Sequence, residues 1–182
     1  MSNQTNSRKL QSRITPPREE YFMGKLLVEA VLCRDNIETK AALILDHKDR
    51  QVGFGVTFIP KPDFVAKEFG SDERTRELCI VHAEEVAIDQ VLKRYIPGNT
   101  VLEPFDRHTL FITGPPSLRG VRKAIANELR NIIYGPIMPQ YFDDVEWEET
   151  KELAKAYAIK MTYCDGNLGW VRDRILSLSH LF

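Results

Sequence analysis

Hydrophobic positions along the first half of the chain recur with two different periods, which predict helices and strands in alternation. From Arg18 to Cys33 the apolar side chains recur at helical spacing, which predicts one helix with a wide buried face. The segments 41–46 and 51–59 are rich in strand-forming residues and are separated by the polar stretch HKDR, so we expect them to form an antiparallel hairpin. Helical spacing returns at about 81–95 and stops at IPGNT.

The second half of the chain alternates strands and helices. Short apolar runs predict strands at 109–113, 131–135 and 159–164. An apolar stripe predicts a helix over 118–129, and a second helix is expected over 148–158, where Glu148 and Glu149 suit a positive helix N-terminus. This order predicts an α/β fold, a three-layer α/β/α sandwich around a mixed sheet of about five strands, with parallel crossovers between the last three. Ligands of such sheets gather at the carboxyl ends of the strands.

Composition divides the chain into one domain and two flanking segments. Residues 1–17 are polar, end in two prolines and are interpreted as a flexible N-terminal tail. Residues 18–164 form the domain, and a chain of this length can bury one core without metal or disulfide staples. Residues 165–182 are interpreted as a C-terminal helical extension whose apolar face either packs on its own core or forms an oligomer contact.

The charge balance indicates which classes of partner to expect, and the cysteine content indicates the state of the thiols. The 25 basic residues nearly balance the 26 acidic ones, so a nucleic-acid or membrane-surface binder is not expected, and small molecules or proteins are favoured as partners. The first 17 residues lack the apolar core of a signal peptide, and no apolar run approaches the length of a membrane span, which favours a soluble cytoplasmic protein. Three scattered cysteines without CxxC spacing indicate reduced thiols.

The stretch CIVHAEEVAIDQ contains His82 and Glu84 at the H-x-E spacing. In zinc deaminases the His of this motif binds zinc, and the Glu, which is not a ligand, shuttles protons for the attacking water. Two longer stretches agree with this motif. The stretch from REEYFMG to GVTFIP resembles the opening of deoxycytidylate deaminases, and HTLFITGPPSLRGVRKAI resembles their T-x-x-P-C-x-x-C-A-K-x-I segment. The resemblance to the cytidine and deoxycytidylate deaminase superfamily covers about residues 18–164.

The departures from this family pattern lie at the residues that carry its chemistry. Ser117 and Gly120 stand where the two zinc-binding cysteines belong, and a catalytic zinc site needs three protein ligands plus water. The resemblance therefore implies that His82 is a remnant ligand and that no metal or other cofactor is expected. Two substrate-contacting asparagines of the family are replaced by Thr57 and Val86, and Phe58 follows Thr57 in place of a glycine.

The resemblance implies one set of candidate site residues. If the protein is active, Glu84 is the candidate proton shuttle. The candidate ligand-binding residues are Thr39, Lys40, Thr57, Val86 and Ser117. A cleft that remains open to these side chains favours ligand binding, whereas a cleft filled by Phe58 or Val86 favours a scaffold.

Purely structural interpretations of the same residues stay open. Ser117 is well placed to cap the helix that begins at Leu118, and Glu84 suits the positive start of its own helix. A triad of Ser117, His82 and Glu84 is disfavoured, because a spacing of two on a helix does not let the Glu orient the imidazole. Cys79 is interpreted as a core thiol. The other histidines are expected to be solvated: His47, His108 and His180.

Three functional hypotheses follow from these residues. The first is a non-catalytic protein of the deoxycytidylate deaminase type, which binds a nucleotide-related ligand or assembles with itself, with an active deaminase or with another protein. The second is an active nucleotide deaminase or other hydrolase that uses Glu84 with an unusual metal, zinc included, or with none. The third is a purely structural scaffold that forms oligomers.

Overall fold

Four helices and five strands alternate along the part of the chain that the computed structural model describes, residues 17–32, 40–60, 79–94, 105–136 and 143–164. The helices are α1 (Arg18–Leu32), α2 (Ala83–Arg94), α3 (Leu118–Ala126) and α4 (Asp144–Ala156). The strands are β1 (Ala41–Leu45), β2 (Gln51–Val56), β3 (Thr109–Ile112), β4 (Asn131–Tyr134) and β5 (Lys160–Tyr163). The predicted C-terminal extension, and the predicted tail up to residue 16, lie outside the described residues.

The strands form one mixed sheet in the order β2-β1-β3-β4-β5. The hairpin β1–β2 is antiparallel, and β1 also pairs antiparallel with β3. The pairs β3–β4 and β4–β5 are parallel, as the alternating second half of the chain predicted. The carboxyl ends of parallel strands lie at the same end of the sheet, so the segments that follow β3, β4 and β5 all begin there.

Side chains of the central strands alternate between two hydrophobic layers, which confirms the three-layer α/β/α architecture. On one face α1 buries Met23 and Leu26 against Leu43 and Phe111. On the other face α2, α3 and α4 bury their apolar sides against alternate residues of the same strands. The core residues of β1 and β3 on this second face are Ala42, Ile44, Leu110 and Ile112.

Two predicted element boundaries were wrong. Helix α4 begins at Asp144, not at 148, because the Asp143 carboxylate caps it by accepting hydrogen bonds from the backbone N–H groups of Val145 and Glu146. Strand β2 ends at Val56, and Phe58 instead forms an isolated antiparallel bridge with Val81. The start of α4 was misplaced because Asp143 is one of several acidic residues that could cap the helix. The end of β2 was misplaced because the bridge of Phe58 pairs it with Val81, 23 positions away.

The prediction that His108 is solvated was also wrong. Its side chain is buried, and its ring stacks on the ring of Phe105 with 5.1 Å between centroids. A short 3-10 turn, Phe105–Arg107, folds the chain back so that the His108 N–H donates to the Phe105 carbonyl. Among the described helices, none has both the length and the apolar character that crossing a lipid bilayer requires.

Candidate functional site

The start of α2 and the loop between β3 and α3 meet at the carboxyl end of β3. Two long-range contacts hold this loop against the start of β1. The Thr113 hydroxyl accepts a hydrogen bond from the Ala41 N–H at 3.0 Å, and the Lys40 ammonium donates to the Pro115 carbonyl at 3.0 Å. The loop therefore delivers Ser117 to a fixed position beside α2.

Ser117 is the N-cap residue of α3. Its backbone is extended (φ −74°, ψ 156°), and its hydroxyl accepts a hydrogen bond from the Gly120 N–H at 3.0 Å. This geometry satisfies one of the free N–H groups at the helix start, and it confirms the capping interpretation of Ser117.

Glu84, in the first turn of α2, is fully buried and reaches across to this cap. Its Oε1 atom accepts hydrogen bonds from the Ser117 N–H at 2.8 Å and from the Ser117 hydroxyl at 2.6 Å. The Ser117 hydroxyl thus donates to Glu84 and accepts from Gly120 at the same time. One carboxylate oxygen links the first turns of α2 and α3.

The Glu84 side chain occupies the space into which a side chain at position 120 would project. A Cβ atom built on Gly120 would lie 2.1 Å from Glu84 Cγ and 2.5 Å from Glu84 Oε1, far inside van der Waals contact. Glycine is therefore the residue that fits beside this orientation of Glu84.

The residues of the site do not fit a catalytic zinc ion. Such an ion needs three protein ligands, whereas Gly120 has no side chain and the Ser117 hydroxyl is engaged with Glu84 and Gly120. Within the described ranges, no group of three or more His, Cys, Asp or Glu side chains is placed to hold a metal ion. His82 remains as a single candidate ligand.

The electrostatic surroundings of Glu84 favour its charged form. Burial raises the pKa of the Glu84 carboxyl, but Coulomb attraction to His82 and Lys40 and the two hydrogen bonds from Ser117 outweigh burial. The pKa therefore lies below the ordinary value for glutamate. The N-terminus of α3, whose first N–H groups surround Ser117, also favours the carboxylate form.

Two buried polar atoms of the site have no hydrogen-bond partner among the described residues, Glu84 Oε2 and Thr57 Oγ1. Thr57 follows β2, and its N–H donates to the Lys40 carbonyl at 2.9 Å. Gly53 and Gly55 face α2 so closely that a Cβ on either would lie within 2.5 Å of an α2 carbonyl oxygen. Continued alternation places Thr57 on this same side of the sheet, beyond Gly55 toward the start of α2.

A capping contact and an ion pair, both made by Glu85, lie at the outer border, or rim, of the site. The Glu85 carboxylate accepts from the His82 N–H at 3.2 Å, as in a capping box, and its other oxygen lies 3.2 Å from the Arg119 guanidinium. Arg119 also donates to the Ile80 carbonyl at 3.2 Å. These contacts are more exposed than the Glu84–Ser117 pair, and they tie the start of α2 to α3 from outside.

The structure brings three of the predicted site residues together and places others apart. Lys40, Glu84 and Ser117 converge, whereas the Val86 side chain packs on β2, with its Cβ 2.8 Å from where a Cβ of Gly55 would lie. Phe58 is 41% exposed, so its ring does not fill the core. Thr39 lies outside the described residues.

Sequence reasoning missed two features of the site. It treated Gly120 as a lost ligand and did not foresee that the Glu84 side chain takes the vacant space. It also missed the anchoring of the loop through Thr113 and Pro115. A Thr at 113 is part of the resemblance, but its hydrogen bond to Ala41 spans 72 positions, and no local pattern signals such a contact.

A depression of about 200 Å³ lies on the opposite face of the sheet from the candidate site, between α1 and the hairpin. Its lining residues are Lys25, Leu26, Glu29, Leu43, Gln51 and Phe54. None of the candidate site residues contributes to it.

Comparison with solved structures identifies the fold. The chain is similar to the dCMP deaminase from the cyanophage S-TIM5 in complex with dCMP and dUMP, with a TM-score of 0.59 and 14% identity over 83% of this chain and 99% of that one. The apo form of the same deaminase gives a TM-score of 0.55 and 12% identity, over 83% of this chain and all of that one. No protein-family model and no curated protein matches the sequence. The protein thus has the cytidine deaminase-like fold that its sequence resemblance predicted.

Proposed function

We propose that this protein is a zinc-free, non-hydrolytic relative of deoxycytidylate deaminases that binds a nucleotide-related ligand beside Glu84, where the first turns of α2 and α3 meet. One observation carries the proposal. The residues at the two cysteine positions supply no metal ligand, since Ser117 is committed to capping α3 and the space beside Gly120 is filled by Glu84. The chemistry that resemblance to the family implies, a metal-activated water and a glutamate that shuttles protons, has no support in this arrangement.

The unpartnered polar atoms support a role in ligand binding. Buried polar groups in proteins are nearly always hydrogen-bonded, and a buried acceptor without a donor costs about 1 to 3 kcal/mol. Among the described residues, Glu84 Oε2 and Thr57 Oγ1 are two buried atoms without a partner. A ligand with N–H or O–H donors would satisfy them. The solved deaminase of similar fold holds dCMP and dUMP, so these nucleotides are the first probes.

The hydrolase alternative has weaker support. A general base must be able to take a proton near neutral pH, whereas the pKa of Glu84 is lowered and its Oε1 already accepts two hydrogen bonds. A Ser117 nucleophile is disfavoured on the same grounds, because its hydroxyl caps α3 and the carboxylate beside it is a weak base.

Thermal denaturation with dCMP, dUMP, cytidine and inorganic phosphate tests the proposal. A ligand present at a hundredfold excess over its Kd should add about 2.7 kcal/mol to the unfolding free energy, or about 5 to 10 °C in Tm. Thr57→Val removes the hydroxyl without changing its shape, and should reduce the shift. Lys48→Gln, on the exposed hairpin turn, is the matched control and should leave the shift unchanged.

Two outcomes would contradict this proposed function. Conversion of dCMP to dUMP that disappears in Glu84→Gln would identify an active deaminase. The absence of a shift with any of the four probes would favour the scaffold hypothesis.

Assembly is a second candidate function, favoured by exposed apolar and aromatic side chains on α4, directly after it and on β5. Val145 is 76% exposed, and Tyr157 and Tyr163 are each 51% exposed. Strand β5 is the last in the sheet order, so its outer edge is open to another strand within the described part of the chain. The proposed partner is a second copy or an active deaminase.

Light scattering with size-exclusion chromatography tests the assembly proposal. We expect a species larger than a monomer, which Tyr163→Lys with Val145→Lys should dissociate. Gln51→Lys, at the opposite edge of the sheet, is the control and should not change the mass. A monomeric protein at 100 μM would count against self-assembly, and a complex that forms only after mixing with an active deaminase would identify that partner instead.

A further inference from the structure

We infer that Glu84 and Gly120 form a matched pair, in which the Glu84 side chain occupies the place of the lost metal ligand and takes over the link between α2 and α3. The inference rests on the proposed loss of the zinc site. It assigns Glu84 a positioning role that differs from the proton shuttle of the family motif.

The first argument is that the two side chains exclude each other. The resemblance places Gly120 on the second cysteine of the family pattern. A Cβ there would overlap three atoms of Glu84, at 2.1 Å from Cγ, 2.5 Å from Oε1 and 2.7 Å from Cδ. Any residue other than glycine at 120 therefore displaces the carboxylate from its present position.

The second argument is that the carboxylate makes the connection that a shared metal would make. In a site with a His directly before α2 and two cysteines at the start of α3, the ion would join the two helix starts. Here Oε1 of Glu84 joins them by accepting from both the N–H and the hydroxyl of Ser117. Both bonds are buried, where a hydrogen bond is stronger than in water.

The test is a double-mutant cycle of Glu84→Ala and Gly120→Ala, followed as Tm without added ligand or metal. In the wild-type background, Gly120→Ala should lower Tm by about 6 to 10 °C, because overpacking and the displaced hydrogen bonds of Glu84 outweigh the better helix propensity of alanine. In the Glu84→Ala background the methyl group enters vacated space, so the same substitution should raise Tm by about 2 to 4 °C. The reversal of sign is the expected result.

Glu85→Ala supplies the matched control for the cycle. Glu85 is the neighbouring carboxylate on α2, and its oxygens contact His82 and Arg119. Gly120→Ala should therefore lower Tm as much in Glu85→Ala as in the wild type. If Gly120→Ala does not fold alone but folds together with Glu84→Ala, the inference is equally supported.

Additive effects in the Glu84 cycle, or a neutral Gly120→Ala in the wild type, would overturn the matched pair. These results do not depend on metal content. Zinc in the wild-type protein would instead defeat the proposed function, so the two failures are distinguishable.

Discussion

Two buried carboxylates, Asp46 and Glu84, show opposite ways of holding a charge inside this protein. Asp46 ends the β1 side of the hairpin, and all its partners lie within four residues. Its Oδ1 accepts from the N–H groups of Lys48 and Arg50 at 2.8 and 2.9 Å, and its Oδ2 accepts from the Arg50 guanidinium at 2.6 Å. Glu84 receives both of its hydrogen bonds from a residue 33 positions away, and its Oε2 has no partner in the described ranges.

This difference in hydrogen bonding indicates which of the two carboxylates is available for a role beyond stability. Asp46 is satisfied by its own turn, where Asp49 adopts the positive φ that aspartate tolerates, so its role ends with the hairpin. Glu84 is held in place by contacts distant in sequence, and within the described ranges its second oxygen has no hydrogen-bond partner. An unpartnered buried acceptor of this kind is the feature on which the proposed ligand site rests.

Truncation of the two carboxylates should give the largest contrast. We expect Glu84→Ala to lower the free energy of unfolding by about 2 to 4 kcal/mol, because it leaves the Ser117 N–H without its acceptor and opens a cavity. Asp46→Ala should cost about 1 to 2 kcal/mol, since water reaches the hairpin turn. Urea denaturation measures both. Equal costs would remove the distinction between the two carboxylates.

Removal of the capping hydroxyl should have the next largest effect. Ser117→Ala loses the bond to the Gly120 N–H and the donor to Glu84 but keeps the backbone bond to Oε1, so we expect a loss of about 1 to 2 kcal/mol. Thr150→Ala, which loses one hydroxyl bond inside α4, is the control and should cost less. Chemical denaturation measures the loss. A Ser117→Ala variant as stable as the wild type would show that the cap does not contribute to stability.

The pH dependence of the unfolding free energy should show the contribution of the Asp46 carboxylate. Burial raises the pKa of Asp46, but the hydrogen bonds and charge of Arg50 and the Lys48 N–H outweigh it, and the pKa is lowered. A lowered folded-state pKa gives stability that is present above the unfolded pKa, near 3.9, and is lost as pH falls through the folded value. Asp46→Asn should therefore flatten the stability profile below about pH 4. A profile identical to that of the exposed Asp49→Asn control would contradict this.

The smallest effect is expected at the rim. Arg119→Ala breaks an ion pair with Glu85 whose Arg side is half exposed, so the loss should be about 0.5 kcal/mol and should shrink further in 0.5 M salt. Thermal melts at low and high salt measure it. A loss that is large and independent of salt would show that the rim, and not Glu84, holds α2 to α3.

Most of the fold could be predicted from the sequence, because the hydrophobic periodicity and the local turn and capping residues indicate the same elements. The hairpin, the parallel order of the last three strands and the Ser117 cap follow from local patterns. The start of α4 was misplaced because several acids compete for the capping position. The burial of His108 was missed because its ring depends on a neighbouring turn.

The candidate site could be located from sequence, but its arrangement could not be derived. The H-x-E motif and the missing cysteines pointed to Glu84, Ser117 and Gly120. The orientation of the Glu84 side chain depends on space left empty by a residue 36 positions away, and no periodicity encodes such a vacancy. The resemblance indicated what was missing, and only the structure indicates what fills the space.

Metal content tests the central claim most directly. The untagged protein would be expressed in zinc-supplemented medium, purified without chelators and analysed by mass spectrometry for zinc per folded chain. The account predicts a value near zero, because Ser117 and Gly120 provide no ligands and Glu84 occupies the second ligand position. A value near one zinc per chain that falls in His82→Ala would contradict the account and restore the hydrolase hypothesis.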